Sequence, residues 1–171
     1  MKTFRQFLED YEVGADEDTP ESAYDNTQGA RRWGNIGAGI LPIAKSTGRL
    51  LVNFRSKYVN EPHQFGVWGG KVDSDENIEK AARREFVEET GYTGSMELIP
   101  AYVYQEPGFE YHNFLGIIPT EFKPIYNWET EGHEWVSLDN MGKLRPLHFG
   151  LATLLTKSDQ KIRDTLAHFM V

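Results

Sequence analysis

Three glutamates, Glu85, Glu88 and Glu89, crowd the end of the segment Gly70–Tyr92, GKVDSDENIEKAARREFVEETGY. Asp73 or Ser74 can cap a helix here, and Asp75 and Glu76 fall in its first turn. Gly91 can take the left-handed position that ends it, so the pattern predicts a helix over 74–90. At about 100° per residue, Ile78, Ala81 and Ala82 form an apolar stripe. Glu85 and Glu89 project within about 20° of Ile78, and Glu88 lies about 80° to one side. The acids continue the stripe that a core-facing helix would bury.

That placement is unfavourable for the bare chain. Like charges three and four residues apart repel by roughly 0.2–0.5 kcal/mol per pair. The last helical turn disfavours each anion by roughly 0.3–1 kcal/mol, and partial burial adds a desolvation cost. Arg84 reaches Glu88 at i,i+4, but one guanidinium does not neutralise three acids. A divalent cation relieves all of these at once. Carboxylates in a chain without cysteine suit a hard ion such as Mg²⁺ or Mn²⁺. The other reading of the same spacing is a solvated acidic face held by Lys80, Arg83 and Arg84.

The segment reads Gly70, five residues, Glu76, seven residues, then Arg84-Glu85-Phe86-Val87-Glu88-Glu89-Thr90-Gly91-Tyr92. This resembles the Nudix box, G-x5-E-x7-R-E-U-x-E-E-x-G-U with U a bulky apolar residue, at every fixed position. Phe86 and Tyr92 are aromatic where aliphatics are usual, which bears on packing more than on chemistry. The resemblance implies a Nudix α/β/α sandwich around a mixed sheet. It also implies metal-dependent hydrolysis of a nucleoside diphosphate linked to another moiety. By motif position Glu85, Glu88 and Glu89 are the implied metal-binding acids, with the carbonyl of Gly69 as a further ligand. Glu76 and Arg84 are the implied brace of the loop-helix-loop, within a structural frame that includes Gly70 and Gly91.

The implied reaction needs a base to take a proton from water near a charge-shielded phosphorus. Glu85, Glu88 and an acid on a later loop are the candidates, with a box glutamate preferred. On that loop, in many relatives a Glu stands six residues before a strand Trp. Glu129 has this offset from Trp135, and Glu131 is the alternative. Substrate contacts are less legible. Arg55 can meet phosphate or lie on the surface, and Phe65 and Trp68 can stack on a base or fill the core. The same choice holds for Tyr102, Tyr104, Phe109, Tyr111 and Phe114. Pro107 lies near where ADP-ribose-cleaving relatives carry a proline, a slight lean towards that substrate. The five histidines form no metal motif, and His63 is the one nearest the loop before the box.

The elements that must position these residues are an α/β (α+β) set. Strands are predicted at 37–45 and 49–56, joined by Ser46-Thr47-Gly48, and a loop at 57–70. Further strands are predicted at about 96–105, 109–118 and 133–137, and a helix over 147–170 interrupted near Ser158. Residues 2–12 read as an amphipathic helix and 13–32 as a flexible acidic arm. The division is therefore 1–32 as arm and 33–171 as Nudix domain. The net charge of −8 resides in the arm: residues 9–25 hold eight acids and no Lys or Arg, and the remaining 18 acids match 18 bases. A neutral body offers no basic face for duplex nucleic acid. It also disfavours an RNA 5′-end pyrophosphohydrolase, and the intact acids disfavour a non-catalytic nucleotide-binding domain. No apolar run approaches the roughly 20 residues of a membrane span. The expectation is a cytoplasmic enzyme acting on a small nucleotide, with a homodimer possible.

Overall fold

The computed structural model describes residues 36–170; the expected helix at 2–12 and the arm at 13–32 lie outside them. The central strand is β1 (Ile36–Ala44), followed by β2 (Leu50–Arg55), β3 (Phe65–Gly66) and β4 (Trp68–Lys71). Helix α1 (Ile78–Thr90) leads to the hairpin β5 (Glu97–Glu106) and β6 (Phe109–Ile118). Strand β7 (Thr130–Val136), the short α2 (Leu138–Met141) and the long α3 (Phe149–Phe169) complete the chain. Seven strands form one mixed sheet in the order β3-β2-β1-β6-β5, with β4 pairing β1 and β7 pairing β2. The β1–β6 ladder is parallel over nine residue pairs, and the other pairings are antiparallel.

Burial on both faces explains why β1 reads as a nearly continuous apolar run rather than an alternation. On one face Leu41, Ile43, Leu115 and Ile117 pack under Leu151, Leu154 and Ile162 of α3. On the other, Ala38, Ile40, Trp68 and Phe114 meet Ala81, Ala82 and Phe86 of α1. This is the expected α/β/α sandwich. No helix among the described residues is long and apolar enough to cross a membrane.

Several boundaries differ from the sequence reading. The loop predicted at 57–70 contains β3 and β4, because Gly69 and Gly70 press flat against β1. The box helix starts at Ile78, not 74: Asn77 is its N-cap, accepting from the Lys80 amide at 3.2 Å. Asp73 to Glu76 instead form a turn ahead of it, closed by Glu76 N–H to Asp73 O at 3.0 Å. The final helix is unbroken, and Ser158 is buried within it. Gly91 ends α1 as expected, at φ 69° with its N–H on Val87 O at 2.8 Å.

Candidate active site

Helix α1 lies across β4, so its inward acids meet the β4 backbone. Glu89 is 3% exposed, and its carboxylate is held by a hydrogen bond from the Gly69 backbone. Glycine is required here by close approach. A Cβ on Gly69 would collide with Ala38 O and stand 2.6 Å from the Tyr111 hydroxyl, and one on Gly70 would stand 2.5 Å from the Glu85 carboxylate. The second clash is with the movable end of a side chain. Gly70→Ala is therefore expected to displace Glu85 and cut kcat/KM about tenfold or more, with a stability loss under about 1 kcal/mol. Paired kinetics and thermal melts check this.

Arg84 organises the other acids. Its Nε and Nη2 donate to the two oxygens of Glu76 at 2.9 and 3.0 Å, and Nη2 also reaches Lys71 O at 3.0 Å. Its Nη1 donates to Glu85 at 2.8 Å and touches Glu88 at 3.3 Å. The Arg84 hydrogen bond is the main reason the Glu76 carboxyl is held below its ordinary range. Glu76 precedes the helix instead of lying in its first turn, so it acts as the anchor of the Arg84 fork rather than through the helix dipole. Lysine has no such fork. Arg84→Lys is expected to cost roughly 10- to 100-fold in activity, and a double-mutant cycle with Glu76→Gln should be strongly non-additive.

A cavity of about 630 Å³, counted to its open mouth, is walled by Gly69, Gly70, Glu85, Glu129, Arg55 and Lys71. Burial pushes Glu85 up to about 7, against the pull of Arg84. Glu89 is pushed well up, first by burial, then by Glu129 and Glu85. Arg55 is half-buried: its Nε donates to Asn60 O and Glu61 O, both at 3.1 Å, and desolvation lowers its proton affinity. Tyr111 rises for the same reason, aided by Glu89. Its ring fills a slot left by glycines, since a Cβ on Gly37 would stand 2.5 Å from Tyr111 Cδ2 and one on Gly39 would collide with its hydroxyl.

The NUDIX domain family model matches residues 34–157. The chain belongs to the Nudix family. A Bacillus subtilis (strain 168) protein described as "Putative 8-oxo-dGTP diphosphatase" is 44% identical over 103 residues. That match covers 59% of this chain and 65% of the relative, just under two thirds of its length. The crystal structure of a Nudix hydrolase from M. smegmatis aligns at TM-score 0.61 and 24% identity, covering 80% of this chain and 87% of that one. A MutT NUDIX hydrolase from Burkholderia pseudomallei aligns at TM-score 0.56 and 25% identity, covering 72% and 96%. The Nudix box thus spans β4 to the end of α1, the elements that carry the acids.

The fold gathers Gly69, Gly70, Glu85, Glu89, Arg55 and Glu129 around one space. Glu88 stays outside, its side chain 53% exposed and turned to Arg84. Glu131 pairs with His63 at 2.9 Å, which leaves Glu129 as the loop acid facing the cavity. Three expected substrate contacts are placed elsewhere. Trp68 is 0% exposed, edge-on to Phe86 with Nε1 donating to Leu51 O at 3.2 Å, so it is core. Phe65 packs on Phe54 in β3 and against the α3-side core. Pro107 sits in the β5–β6 turn and lines neither this cavity nor the one behind it. Arg55 is half-buried on the cavity wall. Lys71 escaped the sequence reading, with only its box position next to Gly70 as a hint, while Tyr111, left open there between stacking and core, is placed on the wall of the cavity behind this one.

The donor set fits a hard cation. Glu89 Oε2 is buried without a hydrogen-bond partner among the described residues, and every candidate donor is a carboxylate or carbonyl oxygen. Among the described residues no three acidic or histidine side chains form a closed metal cage. Arg84 holds Glu85 and Glu88 to itself, so an arriving cation must compete with that guanidinium.

Proposed function

We propose that the chain is a divalent-metal-dependent pyrophosphohydrolase acting on a nucleoside 5′-triphosphate. The supporting observation is the buried, unpartnered oxygen of Glu89 beside Glu85 and Glu129, an anionic pocket that repels itself unless charge arrives. Glu85, Glu89 and the Gly69 carbonyl would hold Mg²⁺ or Mn²⁺, Glu88 would join them by leaving Arg84, and Glu129 faces them from the β7 side. Such a cation screens phosphate charge and acidifies water.

The chain's own groups do the rest. Arg55 and Lys71 flank the cavity and meet phosphate oxygens. Glu85, on the cavity wall, takes the proton from the attacking water. Arg84 holds Glu85 in place and competes for Glu88. Residues 33–171 constitute the catalytic domain in this reading, and 1–32 an arm outside it.

The Bacillus subtilis relative supports a nucleoside triphosphate, oxidised purines included, over ADP-ribose. Pro107, in the β5–β6 turn and outside the lining of both cavities, adds no support for ADP-ribose. The test is product analysis over canonical and oxidised dNTPs, ADP-ribose, dinucleoside polyphosphates and nucleotide sugars, in Mg²⁺ and in Mn²⁺. Selective release of pyrophosphate or phosphate from a dNTP supports the reading. Turnover of ADP-ribose alone contradicts the substrate class, and metal-independent turnover contradicts the mechanism.

A further inference from the structure

A second cavity lies behind the first, sharing Arg55 and Gly69 as wall, between the sheet and the start of α3. Its free space is about 560 Å³ counted to its open mouth. Tyr102, Tyr104, Tyr111 and Phe149 line it, and Tyr104 meets Phe149 edge-on with ring centroids 6.1 Å apart. No carboxylate among the described residues lines it. Aromatic walls of this kind suit a flat ring more than a flexible alkyl chain or an ion.

One polar group inside is fixed in orientation. Asn113 is 5% exposed, and its Nδ2 donates to Tyr102 O at 3.1 Å across the β5–β6 ladder. That bond turns the carboxamide so that Oδ1, an acceptor, is buried with no hydrogen-bond partner among the described residues. Buried acceptors left in this state cost stability, and a ligand donor relieves the cost. His148, on the α3 side, accepts the Gly150 N–H at Nδ1 at 3.1 Å, which puts the ring proton on Nε2.

We infer that this cavity takes the base of the nucleotide and that Asn113 Oδ1 selects bases presenting an N–H towards it. The inference rests on the reading of the neighbouring cavity as the phosphate site, because the shared Arg55–Gly69 wall sets base and phosphates side by side. A base offering a lone pair or a C–H at that edge leaves the Asn113 oxygen unpaired and binds more weakly.

The experiment is calorimetric binding of nucleoside monophosphates, which needs no turnover. Matched pairs differ in an N–H donor: adenosine against purine riboside, guanosine against inosine, and 8-oxo-deoxyguanosine against deoxyguanosine monophosphate. The wild-type protein is expected to bind the donor-bearing member of at least one pair about tenfold tighter or more. In Asn113→Leu that ratio should fall to about twofold, mainly by weakening the donor-bearing member. Asn113→Ser serves if the leucine variant fails to fold. Equal binding within every pair by the wild-type protein overturns the inference, as does discrimination that survives in a folded Asn113 variant. If the protein hydrolyses nothing yet discriminates through Asn113, the base pocket stands and the hydrolytic reading falls. If it hydrolyses a nucleotide without discriminating, the reverse holds.

Discussion

Glu89→Gln is expected to lower kcat about 100-fold or more and to raise the melting temperature of the metal-free protein. Both effects come from one geometry. Glu89 is buried under α1, is pushed up by burial and by Glu129 and Glu85, and has an oxygen without a partner. A neutral amide of nearly the same shape keeps the acceptor for the Gly69 backbone and removes the anion. Relief of roughly 1–2 kcal/mol corresponds to about 2–8 °C for a chain of this size. Calorimetry in chelator and steady-state kinetics in Mg²⁺ check the pair. An active Glu89→Gln, or one less stable than the parent without metal, places Glu89 in an ordinary structural role.

The metal-free protein is expected to lose stability as pH rises from about 4.5 to 7. Glu85 is pushed up to about 7 by burial, above its ordinary value of 4.5. Between those values the folded state binds a proton that the unfolded state has released. Folding is therefore favoured at the acid end and loses that contribution as pH climbs, levelling above 7. One residue contributes about 2–3 kcal/mol after allowance for solvent at the cavity mouth. Glu89 adds in the same direction, since it too is raised. Urea titrations in chelator at pH 4.5, 5.5, 6.5 and 7.5 should show this slope, and Glu85→Gln should flatten it. Saturating Mg²⁺ or Mn²⁺ should abolish the loss, because a bound cation favours the ionised acids. Stability that rises with pH in chelator contradicts the burial of these carboxylates.

Helical spacing placed Glu85 and Glu89 on the apolar stripe but left a solvated acidic face open, the resemblance to the box decided between them, and the fold turns both acids inward. Glu129 was legible from its offset to Trp135, but only the His63–Glu131 pair separates it from its neighbour. Long-range pairing was not legible. The parallel β1–β6 ladder brings Tyr111 over Gly37 and Gly39, residues more than seventy positions away in the chain. Arg55 was read as either a phosphate contact or a surface residue. Its half-buried place on the cavity wall follows from carbonyls of Asn60 and Glu61, the latter at φ 55°, a backbone turn that no local motif announces. Trp68 was left open between stacking on a base and filling the core, and β4 pairing with β1 decides for the core. The helix start was misplaced because Asp73, Ser74 and Asn77 are all competent caps, and the Arg84–Glu76 fork decides among them by pulling residues 73–76 into a turn.

Mn²⁺ binding followed by electron paramagnetic resonance, without nucleotide, tests the central claim most directly, with wild type compared to Glu89→Gln and Glu129→Gln. Wild type is expected to bind, Glu89→Gln to bind about 10- to 100-fold more weakly, and Glu129→Gln to fall between them. Equal affinity in all three proteins contradicts the assignment of this buried acidic cluster as a metal-holding catalytic centre.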